Sequence, residues 1–430
     1  MAPCESTMPP ASEQEELRVT VRRAASGEVL ARLRARPSDT VGQLCEDALR
    51  EAGCGQAGLL SVAVLGARTL EPGASLAAAG VEDGAELGLL RLALGCLTVS
   101  AHGTVRTWHL QSRGQTPAPV TSLDVGHDVK LAAASPRGSE VVAVDLEGNG
   151  TLWHVETGKC IASLGDDMMS CVFSADGSHL AGACDDGTAR IWDAKTGKCL
   201  QVLEGHDELA DVRFATFSPD GALVATAASD GVVRLFEAAS GRLLRSMEGH
   251  SDIKSLEFSS DGCFIAAGSV DSTARLWTVS SGECQQVLRG HSKAVRSASF
   301  STCCRWVLTS SFDGTARVWD VASGKCTTTL VAKNSVVSSA ALSPDGAAMV
   351  LVAPGSPTAQ LFSATSGERL QLLAGHEDWV RHATFSSDGS LVATASFDGT
   401  ARIFSTASGE CLQTLAGGSG DLLLARVISG

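Results

Sequence analysis

From about residue 97 onward one unit recurs, and no other feature limits so tightly what this chain can fold into. It is clearest at residues 375–404, GHEDWVRHATFSSDGSLVATASFDGTARIF. Aligned on the aromatic residue that ends it, the copies place Trp108, Trp153, Trp192, Phe236, Trp277, Trp319, Phe362 and Phe404 at one phase, 39 to 45 residues apart. A period of that size suits a four-stranded unit that buries its faces only against its neighbours. Within each copy, runs such as Val380 to Phe385 and Leu391 to Ala395 have strand alternation. The tetrapeptides at 174–177, 218–221, 259–262, 343–346 and 386–389 are turns, drawn from residues such as Pro, Asp and Gly that suit tight reversals.

With 44% hydrophobic and 19% charged residues, the 430-residue chain is expected to build sizeable cores. A net charge of -14 without any Lys/Arg run argues against nucleic acid, because phosphate binding draws on clustered cations. Residues 1–15 are polar, lack the features of a secretory signal and read as a disordered tail. The most apolar window, Leu87 to Val99, is interrupted by Arg91 and is shorter than the roughly 18 to 20 residues of a membrane span, so no membrane partner is expected. Fourteen cysteines without an export signal point to a reducing intracellular compartment, the cytoplasm first and the nucleus second. Cys160, Cys199, Cys284, Cys326 and Cys411 share one phase of the repeat and are expected as small buried hydrophobes. No Cys-x-x-Cys pair suggests zinc or redox exchange, and no metal or cofactor is expected.

Gly-His opens the unit at Gly126-His127, Gly205-His206, Gly249-His250, Gly290-His291 and Gly375-His376, Asp-Gly precedes the third strand, and Trp-Asp closes it at Trp192-Asp193 and Trp319-Asp320. In these motifs about three quarters of the chain resembles the WD-repeat β-propellers. That resemblance implies a mainly-β ring of blades, and in each blade a buried tetrad of His, Ser or Thr, Asp and Trp. The matching positions are His250, Ser269, Asp271 and Trp277, then His291, Ser311, Asp313 and Trp319; a third set, His376, Ser396 and Asp398, ends in Phe404 and lacks the indole donor. A constellation repeated with the blade period reads as structural rather than as a hydrolase triad. It would satisfy polar groups that each cost about 1 to 3 kcal/mol when left unpaired.

Seven full units run from His127 to Leu415, and residues 97–110 add a second and third strand with no first strand before them. The apolar stretch 422–428 can supply that strand, so eight blades over 95–430, closed by the chain's last strand, are favoured over seven with an appended hairpin.

Residues 16–92 lack the blade period. From Thr40 the positions Val41, Leu44, Cys45, Ala48 and Leu49 follow helical spacing, with a capping box at Thr40 and Gln43 and a stop at Gly53. Strand-like runs at 17–21, 29–35, 61–65 and 86–92 surround it. This order resembles ubiquitin and implies a small α+β β-grasp domain. No Gly-Gly tail ends it and no Lys precedes Lys130, so conjugation is not expected. Val64 falls where ubiquitin's apolar recognition patch is centred, and it either serves there or simply fills a strand.

The expected function is a non-catalytic protein-interaction scaffold or adaptor. The propeller's top face would hold a client while the ubiquitin-like domain docks on another machine, a ubiquitin receptor, ligase or proteasome. A signalling or assembly scaffold unconnected with ubiquitin is the alternative. A cullin-type substrate receptor is a further one, although Trp192-Asp193-Ala194-Lys195 carries Lys where such receptors resemble one another in an Arg. No phosphate-binding loop, HExxH or nucleophile elbow suggests an enzyme. The candidate partner-binding residues are Phe312 and Phe397, each just before a tetrad Asp, with Trp379, Arg381 and Arg296 beside them. They either form an exposed hot spot or pack between blades.

Overall fold

The computed structural model describes residues 17–23, 29–36, 59–65, 68–69, 86–110, 119–207, 210–331, 337, 339–416 and 420–429. The chain divides into two compact units, Met1–Ala93 and Leu94–Gly430.

In the first unit lie β1 (Leu17–Arg23), β2 (Val29–Ala35), β3 (Leu59–Leu65), β4 (Arg68–Thr69) and the first part of β5 (Glu86–Ser100). They are ordered β2-β1-β5-β3-β4, with β1 and β5 parallel and the other pairs antiparallel. β3 starts two residues earlier than its sequence pattern indicates, and β5 runs on well past Leu92. Val64 lies in β3, paired with Thr69 and Gly88. The helix expected from Thr40 and the tail 1–15 lie outside the described residues.

The second unit is an eight-bladed β-propeller. Seven blades are local four-stranded antiparallel sheets: β8–β11 (129–165), β12–β15 (168–203), β16–β19 (212–247), β20–β23 (253–289), β24–β27 (295–331), β28–β31 (339–373) and β32–β35 (380–416). The eighth is assembled from both ends of the unit. β36 (Leu422–Ser429) pairs antiparallel with β5, from Leu422 opposite Ser100 to Ser429 opposite Leu94. β6 (Thr104–His109) and β7 (Pro119–Asp124) complete it. The ring is therefore closed by main-chain hydrogen bonds, which leaves no blade with an unpaired inner strand.

Burial follows position within the blade. Second strands are buried along nearly their whole length, as in Val141, Val142, Ala143 and Val144, because adjacent blades cover both faces. Alternation is lost there, and small residues predominate. Blades meet through mixed clusters in which Ala225, Val233 and Leu235 of one contact Ile253, Ile265 and Trp277 of the next. Each of the Val, Leu and Ile side chains among them contributes about 1.5 to 3 kcal/mol of burial. Fourth strands form the outer wall, where the pattern at Cys199–Leu203 is mostly exposed.

That position corrects the reading of the repeated cysteines. Cys160, Cys199, Cys284 and Cys411 are exposed and Cys326 is half-buried, because each is the first or second residue of a fourth strand on the outer wall. Each lies opposite the blade aromatic, beside a bulge, and directs Sγ to the carbonyl two residues on.

The turns between first and second strands repeat one device. In Ser174–Gly177 the Ser174 hydroxyl donates to Asp176 (2.6 Å), and the Gly177 N–H donates to the Ser174 carbonyl (2.9 Å) at φ 75°. In the blade 295–331 the turn is Ser301 to Cys304. Cys303 Sγ takes the carboxylate's place 3.2 Å from Ser301 Oγ, and Cys304 adopts φ 56° without being glycine.

Candidate protein-binding face

The rim of the propeller is built on the polar circuit under each blade's loops. In the blade 295–331, the Trp319 indole N–H donates to Thr309 Oγ1 (2.8 Å), that hydroxyl meets His291 Nε2 (2.7 Å), and His291 Nδ1 meets Asp313 (3.0 Å). A neutral imidazole protonated at Nδ1 satisfies every member, with the threonine hydroxyl donating to Nε2. Burial lowers the His291 pKa against the opposing pull of Asp313, which keeps this form. Burial would raise the Asp313 carboxyl, but hydrogen bonds from the Thr315 side chain, the Ser292 and Thr315 N–H groups and His291 outweigh it and hold its pKa at about 2.

The hydroxyl of the circuit is Thr309, not Ser311. Ser311 ends β25 (Trp306–Ser311), opposite Val295, where its hydroxyl is taken by the Lys293 and Ala294 carbonyls. Thr309 is one pleat repeat lower, opposite Arg317, within reach of the indole. The same correction applies to Ser396, whose hydroxyl donates to the Asp378 carbonyl while Thr394 meets His376 (2.7 Å) and Asp398 meets His376 (2.8 Å). Ser269 likewise stands apart, 3.3 Å from the Ser251 hydroxyl. In that blade His250 meets Asp271 (2.9 Å), but Ala267 occupies the threonine position and His250 Nε2 is buried without a hydroxyl partner. A further circuit not anticipated from sequence joins His206 to Thr226 (2.7 Å) and Asp230 (3.1 Å). The signal was present: Thr226, Thr309 and Thr394 each stand four residues before the Asp.

Each circuit fixes a loop. The residue before the Asp donates its N–H to the carbonyl of the residue entering the first strand: Phe312 to Ala294 (3.0 Å), Phe397 to Trp379 (2.9 Å) and Val270 to Asp252 (2.9 Å). The side chains at these clips are thereby presented outward. Phe312 is 39% exposed and Trp379 50%, so these two do not pack away between blades. The Trp379 and Phe397 rings stand edge to face with centroids 6.1 Å apart. The Arg381 guanidinium carbon lies 5.8 Å from the Phe397 ring centre, and Arg296 repeats that distance over Phe312. Leu146 and Val270, at the same register in other blades, are 66% and 43% exposed and extend the apolar rim; their position before an Asp or Glu turn marks them.

Arg296 and Arg381 share a second trait. In seven first strands a register shift leaves one residue outside the ladder: Lys130, Met169, Arg213, Lys254, Arg296, Arg381 and Leu423. A bulge re-aims the odd side chain, here at the end of the inner strands nearest the rim. Asp252 holds both Arg213 (2.6 Å) and Lys254 (2.7 Å), whereas Arg296 and Arg381 make no ion pair among the described residues. Both instead line a cavity of about 400 Å³ between the inner strands, with Ser255, Glu257, Ser299 and His382.

Five segments, 158–193, 197–237, 241–278, 282–320 and 367–405, match the WD40 model, described as a WD domain, G-beta repeat. The crystal structure of the computationally designed Ika8 protein is similar at 25% identity and a TM-score of 0.62, over 72% of this chain and 92% of that one. No curated protein matched in the corresponding search. WD40 propellers are non-catalytic scaffolds, and among the described residues no cluster of His, Cys, Asp and Glu could hold a metal ion.

Proposed function

We propose, from the premise that residues 94–430 form an eight-bladed WD40 β-propeller, that this chain is an adaptor whose top face grips a protein client through Phe312, Trp379 and Phe397 with Arg296 and Arg381. The observation that carries the reading is the pair of exposed Trp379 and half-buried Phe397, held by the 2.9 Å main-chain clip and flanked by Arg381. Rigid aromatic and arginine side chains give large contact area at small entropic cost, which is how hot spots concentrate affinity. Truncating Phe312, Trp379 and Phe397 to Ala should remove client proteins that co-purify with the full chain while leaving its melting temperature within a few degrees. Retention of every client would overturn the assignment.

The first unit is read as a ubiquitin-like module that links the client to a ubiquitin receptor, ligase or proteasome-type machine. The strand order β2-β1-β5-β3-β4 with parallel β1 and β5 supports this reading, as does Val64 in β3. Replacing Val64 by Ala in the full chain should weaken binding to a purified ubiquitin-receptor domain; no binding by the unaltered chain would favour a scaffold unconnected with ubiquitin. The free thiols at Cys160, Cys199, Cys284 and Cys411 fit a reducing intracellular setting.

A further inference from the structure

The turn that joins β24 (Val295–Phe300) to β25 lies at the opposite end of its blade from the Phe312 clip. Five other turns at this position carry Asp-Gly, at 176–177, 220–221, 261–262, 345–346 and 388–389, whereas here Cys303-Cys304 stands in their place. Cys304 takes a left-handed φ of 56° where its sister turns have glycine. Strain of this kind is retained where a side chain has a use. The two thiols face different neighbours. Cys303 Sγ is turned to the following blade, 3.6 Å from where a Cβ on Gly346 would stand. Cys304 Sγ is turned to the preceding blade, 3.0 Å from Ser260 Oγ, whose own proton goes to the Thr302 carbonyl (2.5 Å). The turn that carries Ser260 ends by presenting Cys263, where the sister turns have Ser178, Ala222, Ala347 and Ser390. Cys263 is exposed and Cys304 half-buried, so a reagent in water reaches both. One carboxylate serves the two thiols. Burial would raise the Asp261 carboxyl, but hydrogen bonds from Ser259, the Cys263 N–H and the side chains of Cys304 and Cys263 hold it below its ordinary range. The outer-wall cysteines instead direct Sγ to a carbonyl of their own strand.

We propose that Cys263 and Cys304 form a modification site, at which hydrogen peroxide converts the two thiols into a disulfide that staples the blade 253–289 to the blade 295–331. The site is independent of the docking face and lies at the other end of the blades. One thiol reacts as its thiolate with the peroxide: an S–O bond forms, the O–O bond breaks, and the leaving hydroxide takes up the thiol's proton. The sulfur is oxidised to a sulfenic acid and one water is released. The second thiolate then attacks that sulfur. The S–S bond forms, the S–O bond breaks, and the departing hydroxide takes the second proton as water. Two thiols and one peroxide thus give one disulfide and two waters. The Asp261 charge raises the Cys263 pKa, so little thiolate exists at rest and the bridge waits for an oxidant load. Once closed, it ties two blades that otherwise meet only through packing and hydrogen bonds, and it restricts the unfolded chain between residues 263 and 304.

The test treats the full chain with hydrogen peroxide, at a level that leaves Cys160, Cys199, Cys284 and Cys411 reduced, and maps its tryptic peptides without reductant. Residues 255–275 and 297–305 should appear as one cross-linked species that dithiothreitol separates. The bridged chain should melt a few degrees above the reduced one. Cys263→Ser should remove both the cross-link and the rise. Cys304→Gly should do the same, while the untreated variant melts no lower than the unaltered chain because glycine suits the φ of 56°. Cys303→Asp should leave the cross-link and the rise in place. The site is overturned if Cys263 stays unlinked, is recovered only as its sulfinic acid, or is linked to a second chain. It is equally overturned if the cross-link survives Cys304→Gly but not Cys303→Asp, or if peroxide raises the melting temperature of Cys304→Gly as much as that of the unaltered chain.

Discussion

The blades 253–289 and 295–331 stand side by side with His, Asp and Trp at the same register, yet only the second contains a complete polar circuit. Thr309 joins His291 to Trp319, whereas Ala267 leaves His250 Nε2 without a hydroxyl. The aromatic contact partly takes over: the His250 and Trp277 rings lie 5.4 Å apart, against 6.3 Å for His291 and Trp319. Strand pairing is the same in both, down to the bulge after the first residue of the first strand. The blade is thus shaped by apolar packing between neighbours and by its turns. The circuit adds local stability and anchors the rim loop, and one blade can lose a member without changing the fold.

The comparison can be pressed hardest by acid, which acts on every circuit at once. The folded-state pKa values of His206, His250, His291 and His376 are lowered from 6.5 by burial, so the unfolded chain takes up protons first. Their contribution to stability is complete above pH 6.5 and erodes below it. Asp313 and Asp398, held at about 2 against an ordinary 3.8, add stability that is complete above 3.8 and disappears as pH falls towards 2. Melting temperatures should therefore decline gently below pH 6.5 and steeply below 4.

Within one blade, Asp313→Ala should cost about 3 kcal/mol in denaturant unfolding, since it strips partners from His291, Ser292 and Thr315 together. It should also flatten the acid limb below pH 4. Thr309→Ala, which turns the complete blade into a copy of its neighbour, should cost about 2 kcal/mol. The converse change, Ala267→Thr, should gain about 1 kcal/mol by giving His250 Nε2 its hydroxyl. A loss in that variant would show that the closer His250–Trp277 contact leaves no room for it.

The repeat made the propeller legible because eight aromatics at one phase admit few architectures, and the apolar run at 422–428 identified the closing strand. The tetrad was legible in its His and Asp but misplaced in its hydroxyl. Ser311 and Thr309 lie on the same face of one strand, and only the register against Arg317 decides which reaches the indole. The repeated cysteines were misread because a strand's place within the blade, inner or outer, leaves no mark in local hydrophobicity. Phe312 and Phe397 were read from their position before the turn and Trp379 from its place entering a first strand; of the three, Phe312 and Trp379 are exposed. The cavity was hidden, since Ser255, Ser299, Arg296 and His382 come from three blades and meet only once the ring is closed.

The closing of β36 on β5 also sets an order of events during synthesis. The strand at residues 94–100 leaves the ribosome more than 300 residues before the strand that pairs with its inner edge. Seven blades can form hairpin by hairpin as they emerge, but the eighth waits with an open edge until residues 422–429 follow. Contacts so distant in sequence form slowly, and an unpaired edge invites association with other chains in the meantime. Residues 422–429 thus determine when the blade begun by residues 94–100 becomes safe from misassembly.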